Sequence, residues 1–236
     1  FKKDMTSFDM VRSLRLNVPV NVAFNNQETL GKLVQRLSTQ LEPDSLALEI
    51  AFTNTPFLQE NSFTEETILA LFIPNTYEFY WNTPANKIAN KLAKEYNKFW
   101  NEDRLAKAKA KNLTPIQVYT LASIVHKETA KVDERPDVAG VYLNRLRQDM
   151  PLQADPTIIY AIKLRSGDFD QEIKRVFYND LRIKSPYNTY INKGLPPGPI
   201  AMPDVSAIDA VLNATNHDYI YFCANPDKPG YHAFAS

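Results

Sequence analysis

Glycine is scarce in this chain, with six in 236 residues. Neither G-x-G-x-x-G nor a P-loop occurs, so the phosphate cradles of nucleotide enzymes have no material here. A single cysteine, Cys223, excludes an intramolecular disulfide and a cysteine-based zinc site. The three histidines, His126, His217 and His232, are too scattered to suggest a metal helix, and no cofactor is expected. Net charge is absent too, because 27 Lys and Arg balance 27 Asp and Glu. Nucleic acid and anionic lipid draw on an excess of cations, so neither is an expected partner. No run of about 18 apolar residues exists to span a bilayer as a helix. The first residue is Phe1 rather than Met, as in a processed or excised piece.

What is present is core material and proline. A hydrophobic fraction of 44% is enough to bury a proper core, so wholesale disorder is not expected. At roughly 150 residues per domain, the length suggests one large domain or two unequal ones. Residues 16–24 place apolar side chains at every second position, which predicts a strand with Pro19 at a sheet edge. Leu30, Leu33, Val34, Leu37 and Leu41 follow at helical spacing, and Pro43-Asp44-Ser45 restarts a second short helix. With a return strand these make a small βααβ unit within residues 16 to 75. Tyr77-Glu-Phe79-Tyr-Trp81 predicts a strand, and Thr83-Pro84 an N-cap with proline at N1. Ile88, Leu92, Phe99 and Trp100 form a buried stripe, and Lys87, Lys91, Lys94 and Lys98 a solvated face. Thr114-Pro115 with Gln117 predicts a capping box. A further helix is expected over 134–149, another from Asp155-Pro156, an irregular loop over 185–203 and a terminal hairpin around Asn225–Gly230.

Candidate chemistry follows from placement. Glu128 flanks the apolar stripe of the helix that opens at Thr114, seven residues after Leu121 and four after Ile124. A carboxylate there is partly desolvated and holds its proton more tightly, or else reaches past the stripe to water. Arg145 sits mid-stripe between Val138, Val141 and the core, so it is buried and paired, or it snorkels. Asn144 lies at that stripe's edge. Leu152-Gln153-Ala154-Asp155-Pro156-Thr157 offers an amide, a carboxylate and a hydroxyl, with Asp155 readable as an N-cap or as a site residue. Tyr187, Asn188, Thr189 and Tyr190 mix aromatic faces with hydrogen-bonding groups, as sugar sites do, or are a surface loop that merely packs. His126 has no second histidine four residues on and reads as exposed. Ser123 lacks a G-x-S-x-G setting, and Cys223 reads as inert core.

Five strings then stand together in order: Leu121-Ala-Ser-Ile-Val-His-Lys-Glu128-Thr, Val141-Tyr-Leu-Asn-Arg-Leu146, Leu152-Gln-Ala-Asp-Pro-Thr157, Tyr187-Asn-Thr-Tyr190 and Gly194-Leu-Pro-Pro-Gly198. With Phe72-Ile-Pro-Asn-Thr-Tyr77 upstream, nearly the whole chain resembles the endolytic murein transglycosylase (YceG-like) family. The resemblance implies an α+β fold, with a LysM-like βααβ subdomain over residues 1–75. A larger mixed catalytic domain with a helical core and β-hairpins follows over 76–236. It implies cleavage of the MurNAc-β-1,4-GlcNAc bond within glycan strands, leaving 1,6-anhydro-MurNAc ends. The family's catalytic glutamate falls on Glu128. The first acid of its Glu-x-Glu pattern is His126 here, which removes the obvious second carboxylate. Gln153, Asp155, Tyr187, Asn188, Thr189 and Tyr190 become candidates to hold the glycan, and Asn144 and Arg145 to support the site. The implied partners are peptidoglycan glycan strands and the synthases that lay them down. The implied location is the outer, periplasmic face of a bacterial inner membrane, held by a single-pass anchor upstream of Phe1. Two other readings stay open, a hydrolytic muramidase using Glu128 with Asp155 and a non-catalytic glycan-binding protein of the envelope.

Overall fold

The computed structural model describes residues 3–16 and 18–236. Helix α1 (Ser7–Leu16) precedes strand β1 (Val20–Phe24). The expected strand over 16–24 is therefore shorter: Leu16 closes a helix, and Asn17 lies outside the described residues. Pairing starts just after Pro19, which has no N–H to donate to a ladder. Helices α2 (Leu30–Ser38), α3 (Ser45–Thr53) and α4 (Thr55–Glu60) follow, then a 3₁₀ turn at Ile68–Leu71 and strand β2 (Asn75–Phe79). β2 is the return strand: it pairs antiparallel with β1, Val22 opposite Tyr77 and Val20 opposite Phe79. The strand expected at 77–81 thus begins two residues earlier, runs across residues 75 and 76, and leaves Tyr80 and Trp81 exposed.

The remainder is mostly helical. Helices α5 (Ala85–Phe99), α6 (Glu102–Ala110), α7 (Pro115–Glu128), α8 (Arg135–Arg147), α9 (Asp155–Ser166) and α10 (Val205–Leu212) precede a hairpin of β3 (Tyr221–Ala224) and β4 (His232–Ala235). The fold is α+β, helix-rich with two small antiparallel sheets. None of the described helices is long and apolar enough to cross a membrane. Local capping explains most helix starts. Asp44 Oδ1 accepts from the Ala47 N–H at 2.7 Å, and Thr114 with Gln117 forms the expected capping box. Thr83 is not a cap. Pro84 takes that position, while the Thr83 hydroxyl donates to the Tyr80 carbonyl at 2.6 Å. Cys223 is exposed rather than core, because a two-stranded hairpin leaves one face to solvent.

A third helix, α4, thus lies between β1 and β2 beyond the two expected, and one continuous apolar core joins this N-terminal end to the helical part. Leu33, Leu37, Phe52 and Phe72 are fully buried, each worth roughly 1.5–3 kcal/mol. The Tyr119 hydroxyl of α7 donates to the Phe72 carbonyl at 2.7 Å. The Met202 N–H donates to the Gln27 carbonyl at 2.8 Å, and Asn26 Nδ2 to the Met202 carbonyl at 3.0 Å. The closest approach is backbone on backbone. A Cβ at Gly198 would fall inside the van der Waals shell of the Glu66 carbonyl oxygen. Gly198→Ala should therefore destabilise the chain by about 2 kcal/mol or more, since neither backbone can move away cheaply. Gly31→Ala, on α2 with nothing nearer than 3.8 Å, should stabilise by about 0.5–1 kcal/mol. Urea unfolding midpoints of the two variants test the pair.

Candidate active site

Helix α7 carries Glu128 as its last residue. Every residue from Val118 to Val125 is buried, so α7 has no solvated face along that stretch. Glu128 is therefore desolvated because a buried helix ends there, not because of its angle to one stripe. It is half-buried. Tyr142 of α8, fully buried and edge-on to Phe222, donates its hydroxyl to Glu128 Oε2 at 3.0 Å. Burial pushes the Glu128 proton affinity up. The Tyr142 hydrogen bond, His232 and Arg145 oppose this, the negative charge of Asp155 assists it, and the net direction is upward.

A second buried carboxylate behaves oppositely. Glu134, 4% exposed, also feels burial, but the backbone and ring of His232 and the Thr129 hydroxyl hold its charge. Its oxygens accept from the His232 N–H at 2.5 Å and from the Thr129 hydroxyl at 2.9 Å, and the His232 Nδ1 lies 2.9 Å away. The net shift is downward, so Glu134 stays ionised. Beside Glu128, Asp155 is exposed and is the first residue of α9, with Ala154 in the cap position and no side-chain cap. The N-cap reading of Asp155 is thus replaced: its Oδ1 accepts from the Tyr190 hydroxyl at 2.5 Å.

The turn before α9 is built by Arg145. Its guanidinium is 7% exposed and faces carbonyls rather than a carboxylate. Nε donates to Ile220 at 2.7 Å, and Nη1 donates to Leu152 at 2.8 Å. Of the two sequence readings, burial with several carbonyls holds. Gln153 adopts φ 51°, in the left-handed region, with its N–H on the Thr189 carbonyl at 3.0 Å. Its side-chain Oε1 lies 3.4 Å from Arg145 Nη1 and the residue is exposed. Asn144 donates to the carbonyls of His217 and Tyr219 at 2.7 and 2.8 Å, tying α8 to the segment before β3.

The 187–190 stretch divides. Asn188 is fully buried, donating to Leu181 and Ile183 carbonyls and accepting from the Tyr190 N–H. Thr189 is buried, its hydroxyl accepting from the Ala154 N–H at 3.0 Å and lying 2.8 Å from that of Thr157. Tyr187 is buried against Tyr160, ring centroids 4.7 Å apart. Tyr190 remains half-buried and reaches Asp155. His126 is not exposed as the sequence suggested. It is half-buried, 3.3 Å from Asp204 and from Arg135, and burial, together with Arg135 and Lys127, outweighs Asp204 and lowers its proton affinity. Tyr142 and His232 were not singled out from sequence. Tyr142 lay inside the Val141–Leu146 string as one inward residue among several, and His232 had no local signal. Among the described residues, no group of three or more His, Cys, Asp or Glu is placed to hold a metal.

Arg145→Leu should cost about 2–4 kcal/mol, because carbonyls from two segments lose a charged donor. Arg145→Lys should recover little of it, since a single ammonium cannot reproduce the planar fork. Urea unfolding of both variants at neutral pH measures this.

Known proteins resemble this chain in sequence and in fold. A Streptococcus pneumoniae protein named endolytic murein transglycosylase is 44% identical over 119 residues, covering 50% of this chain and 21% of that protein. A Bacillus subtilis protein of the same name is 38% identical over 152 residues, covering 64% of this chain and 40% of that protein. The matched stretches thus span about a fifth to two fifths of these relatives' length. The crystal structure of a YceG-like protein from Listeria monocytogenes aligns with a TM-score of 0.72 at 26% identity, over 98% of this chain and 78% of that one. The sequence pattern of the YceG-like family matches residues 1–236, and the chain belongs to that family.

Proposed function

We propose that this chain is the catalytic part of an endolytic peptidoglycan lytic transglycosylase. It cleaves MurNAc-β-1,4-GlcNAc bonds within glycan strands, forms 1,6-anhydro-MurNAc ends and so sets strand length during wall assembly. The observation that carries this reading is Glu128: a half-buried carboxylate with raised proton affinity, held by Tyr142 and within the field of the exposed Asp155. Protonated Glu128 donates to the leaving O4 as the C1–O4 bond breaks. Its carboxylate then takes the proton of the sugar's own C6 hydroxyl while that oxygen bonds to C1. The proton returns to Glu128, no water is consumed, and one acid suffices where hydrolysis commonly uses two.

Gln153, Asp155 and Tyr190 face the glycan in this proposal, while Tyr187, Asn188 and Thr189 serve binding by holding the loop's shape. Asn144 and Arg145 hold the surrounding segments. We assign β1, α2 and α3 to a LysM-like unit over residues 1–75, with α4 an addition to its βααβ order, and the rest to a catalytic unit over 76–236, with the return strand β2 running across that boundary. Murein lies outside the cytoplasmic membrane. We therefore place the catalytic part on the outer face of the bacterial inner membrane, behind a single-pass anchor, with peptidoglycan synthases as partners. The effect of Asp155 on Glu128 favours one other reading, a hydrolase in which Asp155 activates water.

Digestion of purified peptidoglycan tests this. The wild-type chain should release anhydro-ended fragments, whereas products heavier by one water would replace the proposal with hydrolysis. Glu128→Gln should release nothing above background. It should also unfold at or above the wild-type temperature at neutral pH. A carboxyl whose proton affinity is raised on folding loses stability as pH rises from about 4.5 through its folded value, and Gln escapes that loss. Retained cleavage in Glu128→Gln would sink the assignment. Tyr142→Phe removes a bond that stabilises the charged form, so the Glu128 proton affinity should rise further. The alkaline fall of its pH–rate profile should then move to higher pH than in the wild type.

A further inference from the structure

A cleft of about 820 Å³ opens between the start of α7, the second half of α8 and the loop Gly194-Leu195-Pro196-Pro197. Neither Glu128, Tyr142, Asp155 nor Tyr190 lines it. Its walls alternate apolar groups such as Ile116 and Leu143 with amides such as Gln117 and Asn216. The charged groups among its lining residues are Lys111 and Arg147, both cations. Arg147 donates to the Asn144 side-chain oxygen, and neither cation pairs with a carboxylate among the described residues. Two like charges on one wall repel, and among the described residues no carboxylate offsets them. Burial, and after it the charge of Arg147, hold the Lys111 ammonium below the usual lysine range.

We propose that this cleft binds the acidic peptide attached to the glycan, with Lys111 and Arg147 receiving its carboxylates; this rests on the peptidoglycan reading above. Charge complementarity selects that occupant. A stem peptide brings two carboxylates for the two cations, methyl groups for the apolar wall and amides for the side-chain amides, whereas a GlcNAc ring brings none of the first and a peptide-free MurNAc only one. The volume lies in the range of pockets for molecules of that size. α8 joins the two places, since Asn144 lines the cleft while its neighbour Arg145 acts on Glu128.

Isothermal titration of the 236-residue chain tests this with three probes: N-acetyl-L-Ala-γ-D-Glu-L-Lys-D-Ala, whose blocked N-terminus leaves it net acidic, the same peptide with both carboxylates amidated, and inorganic phosphate. The acidic peptide should bind at least about tenfold more tightly than its amidated form, the loss expected when charge-assisted hydrogen bonds go. The Lys111→Gln, Arg147→Gln double variant should lose about as much affinity for the acidic peptide, with an unfolding midpoint no lower than that of the wild type. Absent binding, equal affinity for the amidated peptide, or unchanged affinity in a folded double variant would overturn the proposal. Phosphate binding as tightly as the peptide would reduce the cleft to a simple anion site and overturn it too. The amidated-peptide arm needs no variant, so it decides even if the double variant misfolds. No glycosidic bond is present in any arm, so the outcome is independent of whether Glu128 cleaves glycan.

Discussion

A guanidinium removed from water with no carboxylate to answer it is the constraint around which this site is arranged. Arg145 meets its need with backbone carbonyls from two separate segments, Leu152 before α9 and Ile220 before β3. Carbonyls carry only partial charge, so part of the cation's field remains to act on its surroundings. It draws the 151–154 turn and the start of the hairpin onto α8 at once. The left-handed Gln153 and the placement of Asp155 at the head of α9 follow from that turn. Asn144, one residue earlier, does the same for residues 217–219, so α8 organises what lies around it through two consecutive polar side chains.

Three carboxylates then differ by environment alone. Glu134 is buried but surrounded by donors, and its charge is stabilised. Asp155 is exposed, with one phenol attached. Glu128 has burial, a single donor at 3.0 Å and a like charge nearby, and keeps its proton longest of the two buried acids. Of the three, Glu128 alone combines a proton affinity raised by its surroundings with a side chain that is only partly covered.

Elements whose cause is local were legible in the sequence. The Thr114–Gln117 capping box, the apolar spacing of α2 and the hairpin around Asn225–Gly230 need only neighbours in the chain. What depended on distant segments was not. α10 was not foreseen, although it packs against α7 and α8 in the core, because eight residues carry too little periodicity to stand out. α6 was not foreseen either, although Asn101 caps it and Glu102 and Asp103 open it. At the site, the motif strings brought Glu128, Arg145 and Asp155 to attention, but not what each touches. That Asn188 and Thr189 turn inward, and that His126 is half-covered by Arg135 and Asp204, are tertiary facts with no trace in spacing.

The position of Glu128 at the very end of α7 has one more consequence. Peptide dipoles add along a helix, leaving a partial negative charge at its C-terminus. A carboxylate placed there is opposed by the helix that carries it, and the opposition eases when a proton is bound. The last turn of α7 therefore directs its field at the side chain that we propose as the acid. Such a field needs no partner residue and survives substitution of almost any side chain along the helix. The proton affinity of Glu128 is thereby written partly into where the helix stops, at Thr129, whose extended backbone ends it.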